Sequence, residues 1–204
     1  MLAATKGERT RAVILDAGFR IVSQEGLDGL TIGNLALATG MSKSGLFAHF
    51  GSREDLLLAV LARGQDEFIK VVVTPALSKA RGLPRLRALF ENWIDWTESA
   101  DLPGGCPMIG GASEFDDKPG PVREALAAGQ RAWIDTLNRA IRQAIEQEQL
   151  APGTDPEQIS FEMFGMALVV HHHRRLLGYD KARTRALGAL ETLLERYSPN
   201  PSPR

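Results

Sequence analysis

Along most of the chain, apolar residues recur at helical spacing. Val13, Ile14, Ala17, Phe19 and Ile21 mark an apolar stripe over about residues 6–25, and Gly26 is placed to end that helix with positive φ. Two short helices are expected near 32–38 and 42–48. Ser52-Arg53-Glu54-Asp55 has the form of a capping box, in which Ser52 and Asp55 satisfy free backbone donors. It opens a helix running from about 53 to the mid-70s and ending before Pro75. Val71-Val72-Val73-Thr74 is the best strand candidate, but no partner run accompanies it. Leu86, Leu89, Phe90, Trp93 and Ile94 predict a helix over about 83–99. Pro103-Gly104-Gly105-Cys106-Pro107 then breaks the chain and can start a short helix. Leu126, Trp133, Leu137, Ile141 and Ile145 predict a long helix over about 121–149. Asp155-Pro156-Glu157-Gln158 supplies a cap, a first-turn proline and a reciprocal Gln for a helix reaching Gly178. Asp180 can cap a last helix striped by Leu187, Leu190, Leu193, Leu194 and Tyr197. The pattern predicts an all-α chain of about nine helices with no convincing sheet.

Composition narrows the function classes. The chain has 204 residues and a single cysteine, so no intrachain disulfide framework is possible and a reducing cytoplasm is the expected setting. No apolar run reaches the roughly 18 residues of a membrane helix. Residues 1–7 lack the apolar core of a signal peptide. The tail Ser198–Arg204, rich in proline and serine, is expected to be disordered. A formal net charge of −1 speaks against nucleic-acid binding until it is divided. Residues 1–53 carry six Lys/Arg against four acids, and residues 54–204 carry 18 against 21. A mildly basic first part is joined to an acidic remainder.

That first part holds the most informative segment, Thr31 to Leu57, which reads as a helix-turn-helix. Thr31 can cap the first short helix, whose Ile32, Leu35 and Ala36 face inward. Gly40 sits where a tight turn needs positive φ. Met41 points back to the core, Ser42 can cap the second helix, and Leu46 and Phe50 anchor it. Lys43, Ser44, Gly45, Ala48 and His49 are left to the outside. A helix entering a major groove by its N-terminus brings free N–H groups toward phosphate. Lys43 is the one long side chain near that end and is the candidate base reader. A single strong reader per copy predicts a two-fold dimer on two half-sites.

Thr31-Ile32, Leu35-Ala36, Gly40-Met41-Ser42, Gly45-Leu46-Phe47-Ala48-His49-Phe50 and Ser52-Arg53-Glu54-Asp55-Leu56 together resemble the DNA-binding domain of the TetR family of bacterial transcriptional regulators. The resemblance implies an N-terminal three-helix helix-turn-helix domain, residues 1–52, joined to a larger helical domain, residues 53–197, that binds a small-molecule effector and dimerises. It implies DNA contacts by Thr31, Ser42, Lys43, Ser44, Gly45, Phe47, His49 and Arg53. Two positions depart from the family. Phe47 replaces the usual Tyr and cannot donate to a phosphate, which leaves its role open between a DNA contact of another kind and packing alone. Arg53 replaces the usual Lys and keeps the charge. The implied function is a cytoplasmic, homodimeric repressor released from a double-stranded DNA operator by an unidentified small molecule, with no cofactor and no membrane partner.

In the second part, Phe90, Trp93, Trp96, Met108, Trp133, Phe164 and His172 are the candidate effector-binding residues, because aromatic and apolar side chains with a few polar groups make a ligand pocket. The helix after Asp155 has two apolar faces, one carrying Ile159, Met163, Met166 and Val170, the other Phe161, Gly165 and Leu168 and continuing to His172. In the family the last two long helices, here about 156–177 and 181–197, form the dimer interface. Ile159, Met163, Met166, Val170, Leu187, Leu190 and Leu194 are its candidates. His171-His172-His173 cannot converge on one ion, because successive helical residues point about 100° apart, so no metal site is expected. Cys106 offers an alternative, a redox-responsive regulator, against the plainer reading of a buried small residue. A helical protein-interaction module is a further alternative. An enzyme is not expected: no hydrolase elbow, phosphate loop or metal-ligand spacing occurs, and Glu114, Asp116 and Asp117 read as a solvated acidic loop.

Overall fold

The computed structural model describes residues 5–199, and all regular structure among them is helical. The helices are α1 (Lys6–Gly29), α2 (Ile32–Thr39), α3 (Lys43–Phe47), α4 (Arg53–Phe68), a π-helical turn (Ile69–Val73), α5 (Thr74–Leu77), α6 (Leu83–Thr97), α7 (Pro107–Phe115), α8 (Pro121–Glu146), α9 (Pro156–Arg175) and α10 (Ala182–Arg196). Taking α4, the π turn and α5 as one continuous helix gives nine among the described residues. Of the tail expected to be disordered, residues 200–204 lie outside the described residues.

The chain forms two compact units. The first comprises residues up to Glu67 together with Ala100–Gly129. It is more than the expected 1–52. The reason is its core. Ile14, Leu27, Leu30, Leu35 and Leu46 are fully buried with Leu56 and Val60 of α4, and the later segment adds Phe115, Val122 and Leu126. Each fully buried leucine contributes roughly 2 kcal/mol by leaving water. Thr5 opens α1 with a capping box: its hydroxyl accepts from Glu8 N at 3.2 Å and its own N–H reaches Glu8 Oε2 at 2.7 Å. Gly26 (φ +77°) interrupts α1 as expected, and a short further turn carries the element to Gly29. Gly104 is required for close approach, because a Cβ there would collide with the Ser23 carbonyl of α1.

The second unit comprises Phe68–Ser99 and the chain from Gln130 onward. Its core gathers Leu86, Leu89, Phe90, Trp93 and Ile94 of α6, Leu137 and Ile141 of α8, Ile159 and Met163 of α9, and Leu190, Leu193 and Leu194 of α10. Charged pairs set the lie of α10: Arg183 reaches Glu91 (3.0 Å) and Asp95 (2.6 Å), Arg87 grips both oxygens of Glu191, and Arg196 pairs with Glu162. These exposed pairs each contribute at most about 1 kcal/mol and act mainly on register.

Three local expectations are corrected. Val71–Thr74 is helical, as the helix expected to reach the mid-70s requires, but that helix does not end before Pro75 and continues to Leu77. A proline in a regular helix lacks its N–H and clashes with the carbonyl four residues back. The π turn removes the conflict. Thr74 N and Oγ1 both donate to Ile69 O, and Asn92 Nδ2 donates to the Val72 carbonyl at 2.9 Å. Asp155 caps α9 through Glu157 N (2.9 Å), but Gln158 turns to Glu162 rather than back to the cap. Asp180 does not cap α10; its carboxylate pairs with Arg174.

Candidate nucleic-acid interface

The helix-turn-helix is built by two caps and one turn. Thr31 Oγ1 accepts from Asn34 N at 3.1 Å, and Ser42 Oγ accepts from Gly45 N at 3.1 Å. Each cap stabilises its short helix by about 1 kcal/mol. Between them Gly40 adopts φ +66°, a conformation a side chain would strain. Leu46 and Phe50 are buried, and the Arg11 guanidinium lies 5.1 Å from the Phe50 ring centroid. The face left to solvent carries Ser42, Lys43, Ser44, Phe47 and Ala48, with Gly45 and His49 half-buried beside them. Phe47 is 53% exposed, so packing within this chain takes up only part of its side chain.

Arg53, expected as a phosphate contact, is exposed and also bonds within the chain. Its Nε donates to Leu30 O (3.2 Å), and its Nη2 donates to Leu27 O (3.0 Å) and Asp28 O (3.2 Å). The start of α4 is thereby locked to the end of α1. Asp28 pairs with Arg53 at 3.4 Å and with Lys118 Nζ at 2.6 Å, and the Lys118 ammonium holds its carboxyl below the usual carboxylate range. Glu114 completes the arrangement. After the break at Gly26, the N–H groups of Leu27 and Asp28 lack helical partners; Glu114 accepts both, at 3.2 and 3.1 Å. The reading of Glu114 as part of a solvated loop is therefore corrected. It is a clip from α7 onto the residues that lead into α2. On the same side, Ser23 Oγ donates to Gly105 O and accepts from Gly104 N, both at 3.0 Å. Cys106 follows directly and is 3% exposed, the plain buried residue of the two readings.

Among the candidate effector residues, the structure brings five together. Trp93 lies edge-on to Trp133 (5.2 Å between centroids), tilted to Phe164 (5.3 Å) and next to Phe90 (6.4 Å). Phe68, which the sequence did not single out, bridges Trp96 and Trp133 at 5.8 and 4.9 Å. Trp133 Nε1 is buried without a hydrogen-bond partner. Met108 packs instead on the core of the first unit. His172 is exposed, whereas His171, one heptad after Phe164, is half-buried with Nε2 unpartnered. That i, i+7 spacing was the signal available in the sequence. Burial, and then the positive charge of Arg175, lower the His171 pKa.

The expected dimer residues are also redistributed. Ile159, Met163, Val170, Leu190 and Leu194 are buried within this chain, and Met166 and Leu187 are half-buried. α9 uses this face against α6 and α10. The other face stays open, with Phe161 75% exposed and Leu168 and Val169 also exposed. Beside it an apolar groove of about 260 Å³ runs between Gly165, Met166 and Val169 of α9 and Ala182, Ala186 and Ala189 of α10. No described helix is long and apolar enough to cross a membrane.

Known proteins share this organisation. Residues 14–60 match the family described as bacterial regulatory proteins, tetR family, and residues 82–190 match the tetracyclin repressor-like C-terminal domain. The HTH-type transcriptional repressor ComR of Escherichia coli K12 is 25% identical over 146 residues, covering 71% of this chain and 70% of its own. A TetR transcriptional regulator from Chloroflexus aurantiacus superposes with a TM-score of 0.87 at 22% identity, over 94% of this chain and 97% of that one. AibR, solved in complex with isovaleryl coenzyme A and operator DNA, superposes with a TM-score of 0.68 at 25% identity, over 94% of this chain and 99% of its own.

Proposed function

The chain belongs to the TetR family of bacterial regulatory proteins and is a DNA-binding transcriptional regulator, not an enzyme; on that premise we propose that it acts as a cytoplasmic, homodimeric repressor released from its operator by a small molecule. The observation that carries the reading is the capped α2–turn–α3 unit with Lys43, Ser44, Phe47 and Ala48 facing outward. Lys43 reads a base edge; Thr31, Ser42, Ser44, Gly45 and His49 fit the hydroxyl, backbone and ring contacts that position the helix on the duplex. Arg53 serves this indirectly by fixing α4 to α1. Two copies meet through Phe161, Leu168 and Val169 of α9 together with α10, an area left apolar by the packing of a single chain.

Effector binding is supported by the aromatic cluster around Trp93 and Trp133, whose unpartnered indole N–H suits an apolar ligand bearing a hydrogen-bond acceptor. AibR, solved in complex with isovaleryl coenzyme A and operator DNA, supports a small-molecule site in this chain as well. The ligand needs only to favour the conformation that does not fit DNA. Movement of α7 would reach α2 and α3 through Glu114, Leu27 and Asp28. The test is selection of bound duplexes from random DNA. Enrichment of paired half-sites is the expected result; no enriched sequence at low salt would discard the proposal.

A further inference from the structure

We propose that Phe47 is a specificity residue that reads the C5-methyl group of a thymine in each half-site. The inference rests on the DNA-binding reading above and adds what the recognition helix recognises. Lys43 and Phe47 lie one turn apart on one face of α3, and Ser44 and Ala48 form the column beside them, with Ala48 N bonded to Ser44 O at 3.1 Å. All four are exposed. The outward face is thus divided across its length. Its first turn is polar, and its second turn is a phenyl ring and a methyl group.

Phe47 has no hydroxyl to offer a phosphate, and 53% of the residue stays exposed to solvent. In a major groove the only apolar group that a base pair presents is the thymine methyl. A phenyl ring flanked by Ala48 matches that group and matches no other base edge. Spacing adds a second condition. Four residues of helix rise about 6 Å, and base pairs stack about 3.4 Å apart. Lys43 and Phe47 therefore address positions about two base pairs apart. Lysine pairs with the O6 and N7 acceptors of guanine. Each half-site should accordingly hold a guanine and, about two steps away, a thymine.

Single-atom-group substitution in the DNA tests this without altering the protein. Duplexes recovered by selection are remade with one thymine at a time replaced by deoxyuridine, which removes only the methyl. The expected result is one position per half-site at which deoxyuridine weakens wild-type binding about fourfold, the effect of one buried methyl-sized group. Phe47→Ala should lose that difference, and Phe47→Tyr, which keeps the ring, should retain it. Neutral deoxyuridine at every position, with selective binding intact, would overturn the assignment. So would a deoxyuridine penalty that survives in Phe47→Ala. Absence of any selected sequence would instead mean that the DNA-binding reading itself fails. Because the deoxyuridine series uses the unmodified protein, the outcome stands even if a variant folds poorly.

Discussion

At the scale of single residues, position on the surface separates the side chains that touch a partner from those that hold the protein together. Lys43 and Arg53 are both exposed cations of the first unit, yet Arg53 spends several of its donors on the backbone of Leu27, Asp28 and Leu30. Lys43→Ala is expected to lose about 1–3 kcal/mol on the selected sequence and much less on random DNA, as measured by competition binding. Equal losses on both would contradict a base contact. Arg53→Ala removes hydrogen bonds to Leu27, Asp28 and Leu30. Its first effect should be a drop in thermal stability of about 1 kcal/mol, discounted for partial exposure. His171 shows the same logic for protons. Burial and Arg175 lower its folded pKa below the ordinary 6.5, so the folded chain favours the neutral ring. Its contribution to stability is present above that value and is lost as pH falls toward the lowered one. Melting temperature should fall on acidification from pH 7.5 to 5.5, and the fall should be smaller in His171→Phe. An identical pH profile in the variant would remove His171 as its source.

At the scale of elements, the chain's local signals were legible where backbone chemistry is local. Thr31, Gly40 and Ser42 each act within three residues, so caps and turn were placed from sequence. The stripes of α6 and α8 were legible because burial repeats at helical spacing. Two features were not. The π turn arises from a conflict between Pro75 and a helix that packing favours on both sides of it, so the proline alone reads as the end of the helix. The Glu114 clip joins residues 87 positions apart, a distance over which no periodicity extends. Which face of α9 is internal was likewise a tertiary outcome, since both faces are equally apolar in sequence. The clip carries its own prediction. Glu114→Ala leaves two backbone N–H groups unpaired at the kink, one of them on buried Leu27, and should destabilise the chain by about 2 kcal/mol in denaturant unfolding. An unchanged unfolding midpoint would show that water replaces the carboxylate at no cost.

At the scale of the whole molecule, the proposed reading makes tight DNA binding depend on two readers acting together, because it assigns each copy one strong base contact and little excess charge. Phe161→Arg places a charge on the open face of α9 without disturbing the core. Sedimentation should show a monomer, and operator affinity should fall about a hundredfold or more while helicity is retained. A dimer that persists with full affinity would place the interface elsewhere. The return of residues 100–129 to the unit built around α1–α4 has a consequence for biosynthesis. Phe115, Val122 and Leu126 complete a core whose other members all lie before residue 62. A ribosome making about 5–20 residues per second needs roughly 3–12 s after Glu67 to deliver the rest of that unit. During that interval the nascent reading head is unfinished, with Leu27 and its neighbours still uncovered. On the DNA-binding reading, operator recognition is expected to mature only once more than half of the polypeptide has been translated, and a message truncated before residue 100 is expected to yield a fragment with a weakened reading head.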